Sequence, residues 1–174
     1  WRKALKPTAN ADGRRTLYLD RDQRRALIEH LPEDAAAFVR GLCLLPLRPG
    51  ALASLTVGDF HAKQGTLRIG TDKAGAGRYV LLPDATAALF RESVKGKLPT
   101  APLLSRWNGS AWDKDAWKVP IKAAVAAAEL PAETTAYTMR HSVITDLVTD
   151  GLDLFTVAAL AATSIAMIEK YYGH

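Results

Sequence analysis

Three segments of this 174-residue chain carry side chains suited to a single chemistry. The first is Leu47-Arg48-Pro49-Gly50-Ala51-Leu52-Ala53-Ser54-Leu55, in which Arg48 follows an apolar run and sits beside backbone breakers. An arginine there is costly to bury unless it faces an anion. The second is Lys73, within Gly70-Thr71-Asp72-Lys73-Ala74-Gly75-Ala76-Gly77, whose glycines signal a hairpin loop. The third is Tyr137-Thr138-Met139-Arg140-His141-Ser142, followed later by Tyr171-Tyr172-Gly173-His174. Arg48 and Arg140, from distant segments, can clamp one phosphate, because the guanidinium fork bonds phosphate oxygens in pairs and stays charged. A tyrosine hydroxyl can attack phosphorus, a lysine on a mobile loop can protonate the leaving oxygen, and His141 can orient a phosphate oxygen or assist proton transfer. Nucleophile, cationic donors and acid together suffice for phosphodiester transfer without a metal.

Taken singly, each residue also has an ordinary structural role. Arg48 can pair with Asp59, and Arg140 with Asp146. Lys73 can be a solvated turn lysine and Tyr137 a core tyrosine. His141 can satisfy a neighbouring backbone group, Thr163 can cap the helix that starts near Ser164, and Tyr172 can be a helix-end aromatic. Their order along one chain is what favours a shared site. Other chemistries find little support. The four histidines (His30, His61, His141 and His174) offer no close pair at ligand spacing, so no metal is expected. The single cysteine forms no internal disulfide. Phosphate-binding glycine loops and the serine nucleophile elbow are absent. No apolar run reaches the roughly 18 residues of a membrane span.

The three segments together resemble the catalytic domain of the tyrosine recombinases, the phage-integrase family. The family's first box, Leu-Arg-x-x-Glu-Leu-x-x-Leu, is matched by Leu47 to Leu55, with Arg48 as the catalytic arginine. Its lysine lies in a β-hairpin turn before a strand ending in Leu-Pro, which Lys73, Gly75 and Leu82-Pro83 match. Its second box, His-x-Leu-Arg-His, is matched by Tyr137 to His141. A Gly-His-Ser element then precedes the nucleophilic tyrosine by nine residues. Aligning Ala162-Thr163-Ser164 with it places Thr163 at the histidine and Tyr172 nine residues on. Ala51, Tyr137, Ala162 and Thr163 depart from the pattern. The hydroxyls of Tyr137 and Thr163 still donate to phosphate oxygens but lack a histidine's charge and near-neutral pKa.

The resemblance implies a catalytic set of Arg48, Lys73, Arg140, His141 and Tyr172, with Tyr137 and Thr163 as auxiliaries at the phosphate. It implies site-specific recombination of double-stranded DNA, for phage or mobile-element integration and excision, through a 3′-phosphotyrosyl intermediate. It implies no cofactor, a tetramer on DNA in the full-length protein, no membrane, and a cytoplasmic location in a bacterial or phage-infected cell. Two other readings are a DNA-binding protein on the same fold with weakened catalysis, and a type IB topoisomerase-like strand transferase. The family fold is mainly α-helical α+β with a small antiparallel sheet.

The elements read from the chain agree with that class. Asp20 with Gln23 makes a capping-box start for a helix ending at Pro32, and Glu33-Asp34 open a second helix. A short helix follows Pro49. Thr66–Ile69 and Arg78–Leu82 read as strands around the Lys73 loop. Pro83-Asp84 starts a helix to about Lys95, and residues 98–112 are irregular. An alanine-rich helix covers 113–130 with a kink expected at Pro120, and three more helices cover about 138–149, 153–161 and 164–172. Ile165, Met167, Ile168 and Tyr171 are expected as the packing face of the last one. The net charge of +5 resides wholly in residues 1–25, the remainder being neutral. This suggests a basic linker along DNA. Residues 1–16, with Arg2, Lys3, Lys6, Arg14 and Arg15, form the arm, and residues 17–174 form the catalytic domain.

Overall fold

Asp20 begins the first helix as its side chain predicts. Its carboxylate accepts from the Gln23 N–H at 2.8 Å, and the Gln23 side chain accepts from the Asp20 N–H at 3.0 Å. The computed structural model describes residues 17–70 and 77–172. From this cap runs α1 (Arg21–Glu29), and Pro32 then separates it from α2 (Glu33–Leu44). Phe38, Val39 and Leu42 of α2 are wholly buried. Phe38 stacks between Trp112 and Trp117, with ring centroids at 5.3 and 5.4 Å. Each such buried side chain contributes about 2 kcal/mol of transfer free energy, and α2 is the centre of the main core.

Pro49 sits at the first position of α3 (Pro49–Ala53), where its missing N–H costs nothing. The chain then forms a three-stranded antiparallel sheet of β1 (Phe60–His61), β2 (Thr66–Ile69) and β3 (Arg78–Leu81), in that order. The strand β1 is an addition to the two expected from sequence; two residues are too few to show a period of two. Leu67 pairs with Val80 and Ile69 with Arg78, so these four share one face of the sheet. Leu67 and Ile69 are buried, so that face is the one turned to the helices.

The helix α4 (Asp84–Ser93) returns to the core through Ala87 and Phe90. Residues 98–112 are irregular apart from isolated bridges, Thr56 to Pro102 and Ser105 to Ala111. Asp113 caps α5 (Lys114–Ala127), which continues through Pro120. Then come α6 (Ala136–Thr149), α7 (Leu154–Ala161) and α8 (Ile165–Tyr172). Met139 of α6 belongs to the main core, while Ile144 of α6 packs with Val157, Ala158, Ala161 and Ile168 in a smaller one. The helix α6 therefore bridges the two cores, and Arg140 and His141 lie where they meet.

Two expectations need correction. The basic segment 1–25 is not one arm along DNA, because its later part is built into the body. Arg24 is buried and pairs with Asp146, whose other oxygen accepts from the Tyr18 hydroxyl at 2.7 Å. Arg21 pairs with Asp150 at 3.3 Å, and Arg25 with Asp22 at 3.1 Å. The arm residues Arg2, Lys3, Lys6, Arg14 and Arg15 lie outside the described residues. The packing face of α8 also differs. Ile168 is 1% exposed and Tyr172 joins the smaller core, whereas Ile165 and Met167 are exposed. Ile168 and Tyr172 are one helical turn apart, so one stripe carries both.

Candidate active site

Arg140 organises the site. It projects from the second turn of α6, and its Nη1 donates to two backbone carbonyls, Ala161 O at 2.7 Å and Pro46 O. The first lies at the end of α7, two residues before Thr163. The second lies two residues before Arg48. One guanidinium thus ties together the segments that carry two other expected site residues.

The turn after α7 is locally demanding. Ala162 adopts a left-handed conformation, φ 53° and ψ 51°, and the Thr163 N–H reaches back to Ala158 O at 3.0 Å. This is a Schellman-type helix end, where glycine is the usual occupant. Alanine there carries a strain of roughly 1 kcal/mol. Ser164, rather than Thr163, caps the next helix, its Oγ accepting from the Met167 N–H at 3.3 Å.

Arg140 is half-buried. Burial, aided by the positive charge of Arg48, pushes its pKa down to about 10. Tyr172 and Tyr137 oppose that shift, and Arg78 adds to it. The guanidinium stays protonated at neutral pH. Arg48, at the N-terminal end of α3, is exposed rather than buried. Its proposed structural partner Asp59 is already occupied, because Arg68 donates to that carboxylate through Nε at 2.9 Å and Nη2 at 2.7 Å. Burial would raise the Asp59 pKa, but the bonds from Thr56 and Arg68 hold it below its usual range. The alternative partner of Arg140, Asp146, is likewise taken by Arg24.

The Tyr172 hydroxyl lies 3.2 Å from His141 Nδ1, with ring centroids 5.1 Å apart. Burial raises the Tyr172 pKa, and the Arg140 charge partly offsets this. The phenol is therefore protonated at neutral pH and needs a base before it can attack. Burial also lowers the His141 pKa, so its imidazole is neutral and can be that base. The neighbouring Tyr171 is directed elsewhere, with the Lys170 ammonium 5.2 Å from its ring centroid. Adjacent helical positions diverge by about 100°, so the two tyrosines do not share a target.

Tyr137 lies one turn before Arg140, is 40% exposed, and acts on the Arg140 charge. Thr163 is half-buried beside the Ala161 carbonyl that Arg140 binds. Arg48, Tyr137, His141 and Tyr172 therefore gather around Arg140, Thr163 lies two residues beyond the Ala161 carbonyl that Arg140 binds, and Lys73 falls outside the described residues. Arg78, at the start of β3, was not singled out by sequence, yet its charge reaches Arg140. Its place opposite Ile69, in an inward register, emerges only from the pairing of β2 with β3.

The family model described as the phage integrase family matches residues 18–174. The chain belongs to the phage integrase family. This integrase-family domain is similar to solved structures that share its fold. The XerA recombinase aligns at 19% identity and a TM-score of 0.74, over 91% of this chain and 58% of that one. The Tn1549 transposon integrase in complex with a circular intermediate DNA aligns at 17% identity and 0.75, over 91% and 62%. A lambda integrase dimer bound to a core site aligns at 15% and 0.72, over 89% and 47%. The chain thus spans roughly three-fifths or less of these proteins. No curated protein sequence matches it. Among the described residues, no single helix is long and apolar enough to cross a membrane. Where the family pattern carries glycine, this chain has Ala162 in a left-handed conformation.

Proposed function

We propose that this integrase-family domain cuts and rejoins double-stranded DNA in site-specific recombination, through a 3′-phosphotyrosyl intermediate. The observation that carries the proposal is the contact of the Tyr172 hydroxyl with His141 Nδ1, beside the Arg140 guanidinium. Similar folds solved on DNA, including the Tn1549 and lambda integrases, support a duplex substrate.

With the His141 ring proton on Nε2, Nδ1 takes the Tyr172 proton as Oη attacks phosphorus. A bond forms from Oη to phosphorus, and the bond from phosphorus to the 5′ oxygen breaks. Lys73, in the segment between β2 and β3, protonates the departing 5′ oxygen. Arg48 and Arg140 donate to the non-bridging oxygens, where charge grows in the transition state. Tyr137 and Thr163 add neutral hydroxyl donors. A 5′-hydroxyl from a partner strand then gives its proton to Lys73 and attacks phosphorus; the bond from phosphorus to Oη breaks, and His141 returns the proton to Tyr172. The covalent link retains the energy of the broken bond, so rejoining needs no further input. The full-length protein acts as a tetramer on paired sites, in the cytoplasm of a bacterial or phage-infected cell, on a phage or mobile element. The arm Arg2, Lys3, Lys6, Arg14 and Arg15 tracks DNA phosphates.

A pH profile tests the base. The His141 pKa is depressed, so neutral imidazole is present above it and is lost as pH falls through it. Single-turnover adduct formation on a nicked duplex should be flat near neutrality and fall at acid pH, with the midpoint below about 6.5. His141→Ala should lower the plateau by about 10²-fold or more and remove the acid limb. An unchanged acid limb in His141→Ala would assign the base elsewhere.

A further inference from the structure

Among the described residues, the Arg78 guanidinium has buried donors without a partner. Arg78 opens β3, directly opposite Ile69 and on the same sheet face as the buried Leu67. Its neighbours in the alternation, Arg68 and Tyr79, take the outer face, where Arg68 satisfies Asp59. Arg78 cannot reach that partner from the inner face. Its Nε and Nη2 are both buried, and neither has a hydrogen-bond partner among the described residues. Burial lowers its pKa, as expected for a charge withdrawn from water without compensation.

The surroundings deepen the imbalance. Arg78 and Arg48 both act on the Arg140 charge. Among the described residues, the carboxylates of Asp59 and Asp146 are committed to Arg68 and Arg24. A buried cation left unpaired is destabilising, and a cluster of them is more so, unless an anion completes it. The free atoms also have a shape: Nε–H and the adjacent Nη2–H are the side-on fork that meets two oxygens of one phosphate.

We propose that Arg78 is a third guanidinium ligand of the DNA phosphate at Arg140, bonding its non-bridging oxygens through Nε and Nη2. This assignment rests on the strand-transfer reading given above. Arg78 also follows Lys73 by five residues in the sequence.

The test begins with a duplex obtained by covalent capture from a randomised, nicked DNA pool. Arg78→Met should slow single-turnover adduct formation on that duplex by about 10²-fold or more. Arg78→Lys, which keeps the charge and loses the fork, should fall between Met and wild type. In a Tyr172→Phe background, binding to the captured duplex is compared with binding to the same duplex carrying a neutral methylphosphonate at the cleaved position. Arg78→Met should reduce the preference for phosphate by about tenfold. Its thermal midpoint without DNA should match or exceed that of wild type, because an unpaired buried charge has been removed. Unchanged cleavage, an unchanged phosphate preference, or a lowered midpoint with both losses explained by unfolding would overturn the assignment. If wild type captures no duplex at all, the strand-transfer reading fails first, and the role of Arg78 with it.

Discussion

Tyr172→Phe is expected to abolish covalent attachment to DNA, a loss of at least about 10⁴-fold in adduct formation, as for removal of any enzymatic nucleophile. Tyr171→Phe should react within about threefold of wild type. The difference follows from geometry. Tyr172 Oη is 3.2 Å from a base, His141 Nδ1, and the Arg140 charge acts on it. Tyr171 faces Lys170 instead. Phenylalanine preserves the ring that packs with Ile168 in the smaller core, so Tyr172→Phe should fold as wild type does and still bind DNA. An SDS-resistant band on a nicked duplex reads the outcome. A surviving band in Tyr172→Phe with loss in Tyr171→Phe would exchange the two roles.

Arg140→Ala should have a double effect that Arg48→Ala lacks. Both remove a cationic donor from the phosphate, each slowing adduct formation by about 10²- to 10³-fold. Arg140 also holds Pro46 O and Ala161 O. Its removal leaves two carbonyls without their donor, costing about 1–3 kcal/mol, and unties Arg48 and Thr163 from each other. Its rate loss should therefore exceed that of Arg48→Ala, and its thermal midpoint should fall. Arg48 is exposed, so Arg48→Ala should unfold at the wild-type temperature. Arg140→Lys should not rescue the loss, because one ammonium cannot reproduce the planar fork shared among two carbonyls and a phosphate. Equal midpoints for the two alanine variants would deny Arg140 its tying role.

Much of this arrangement is legible in local sequence because local forces create it. The Asp20–Gln23 capping box, the break at Pro32 and the strands beginning at Thr66 and Arg78 each depend on neighbours within a few residues. The order of Arg48, Lys73, Arg140 and Tyr172 was legible as a pattern. Pairings across the fold were not. Sequence offered Asp59 to Arg48 and Asp146 to Arg140, but Asp59 went to Arg68 and Asp146 to Arg24. Only the register of β2 and the placing of Arg24 of α1 beside Asp146 of α6 decide those choices. Likewise α8 looked as though Ile165 and Met167 would face inward, until Ile168 and Tyr172 were seen to share the buried stripe. Arg78 escaped notice because a charged residue at a strand start is usually solvated. Its inward register appears only once β2 and β3 are paired.

The central claim is that Tyr172, with His141 as its base, becomes covalently joined to a DNA 3′ end. The most direct measurement is mass spectrometric mapping of an SDS-resistant adduct after digestion with trypsin and nuclease. Trypsin cuts after Lys170, which places both tyrosines in one peptide, and fragment ions separate them. A nucleotide mass on Tyr172, attached through a 3′ phosphate, is expected. A nucleotide on Tyr171, attachment through a 5′ phosphate, or specific duplex binding with no adduct would contradict it.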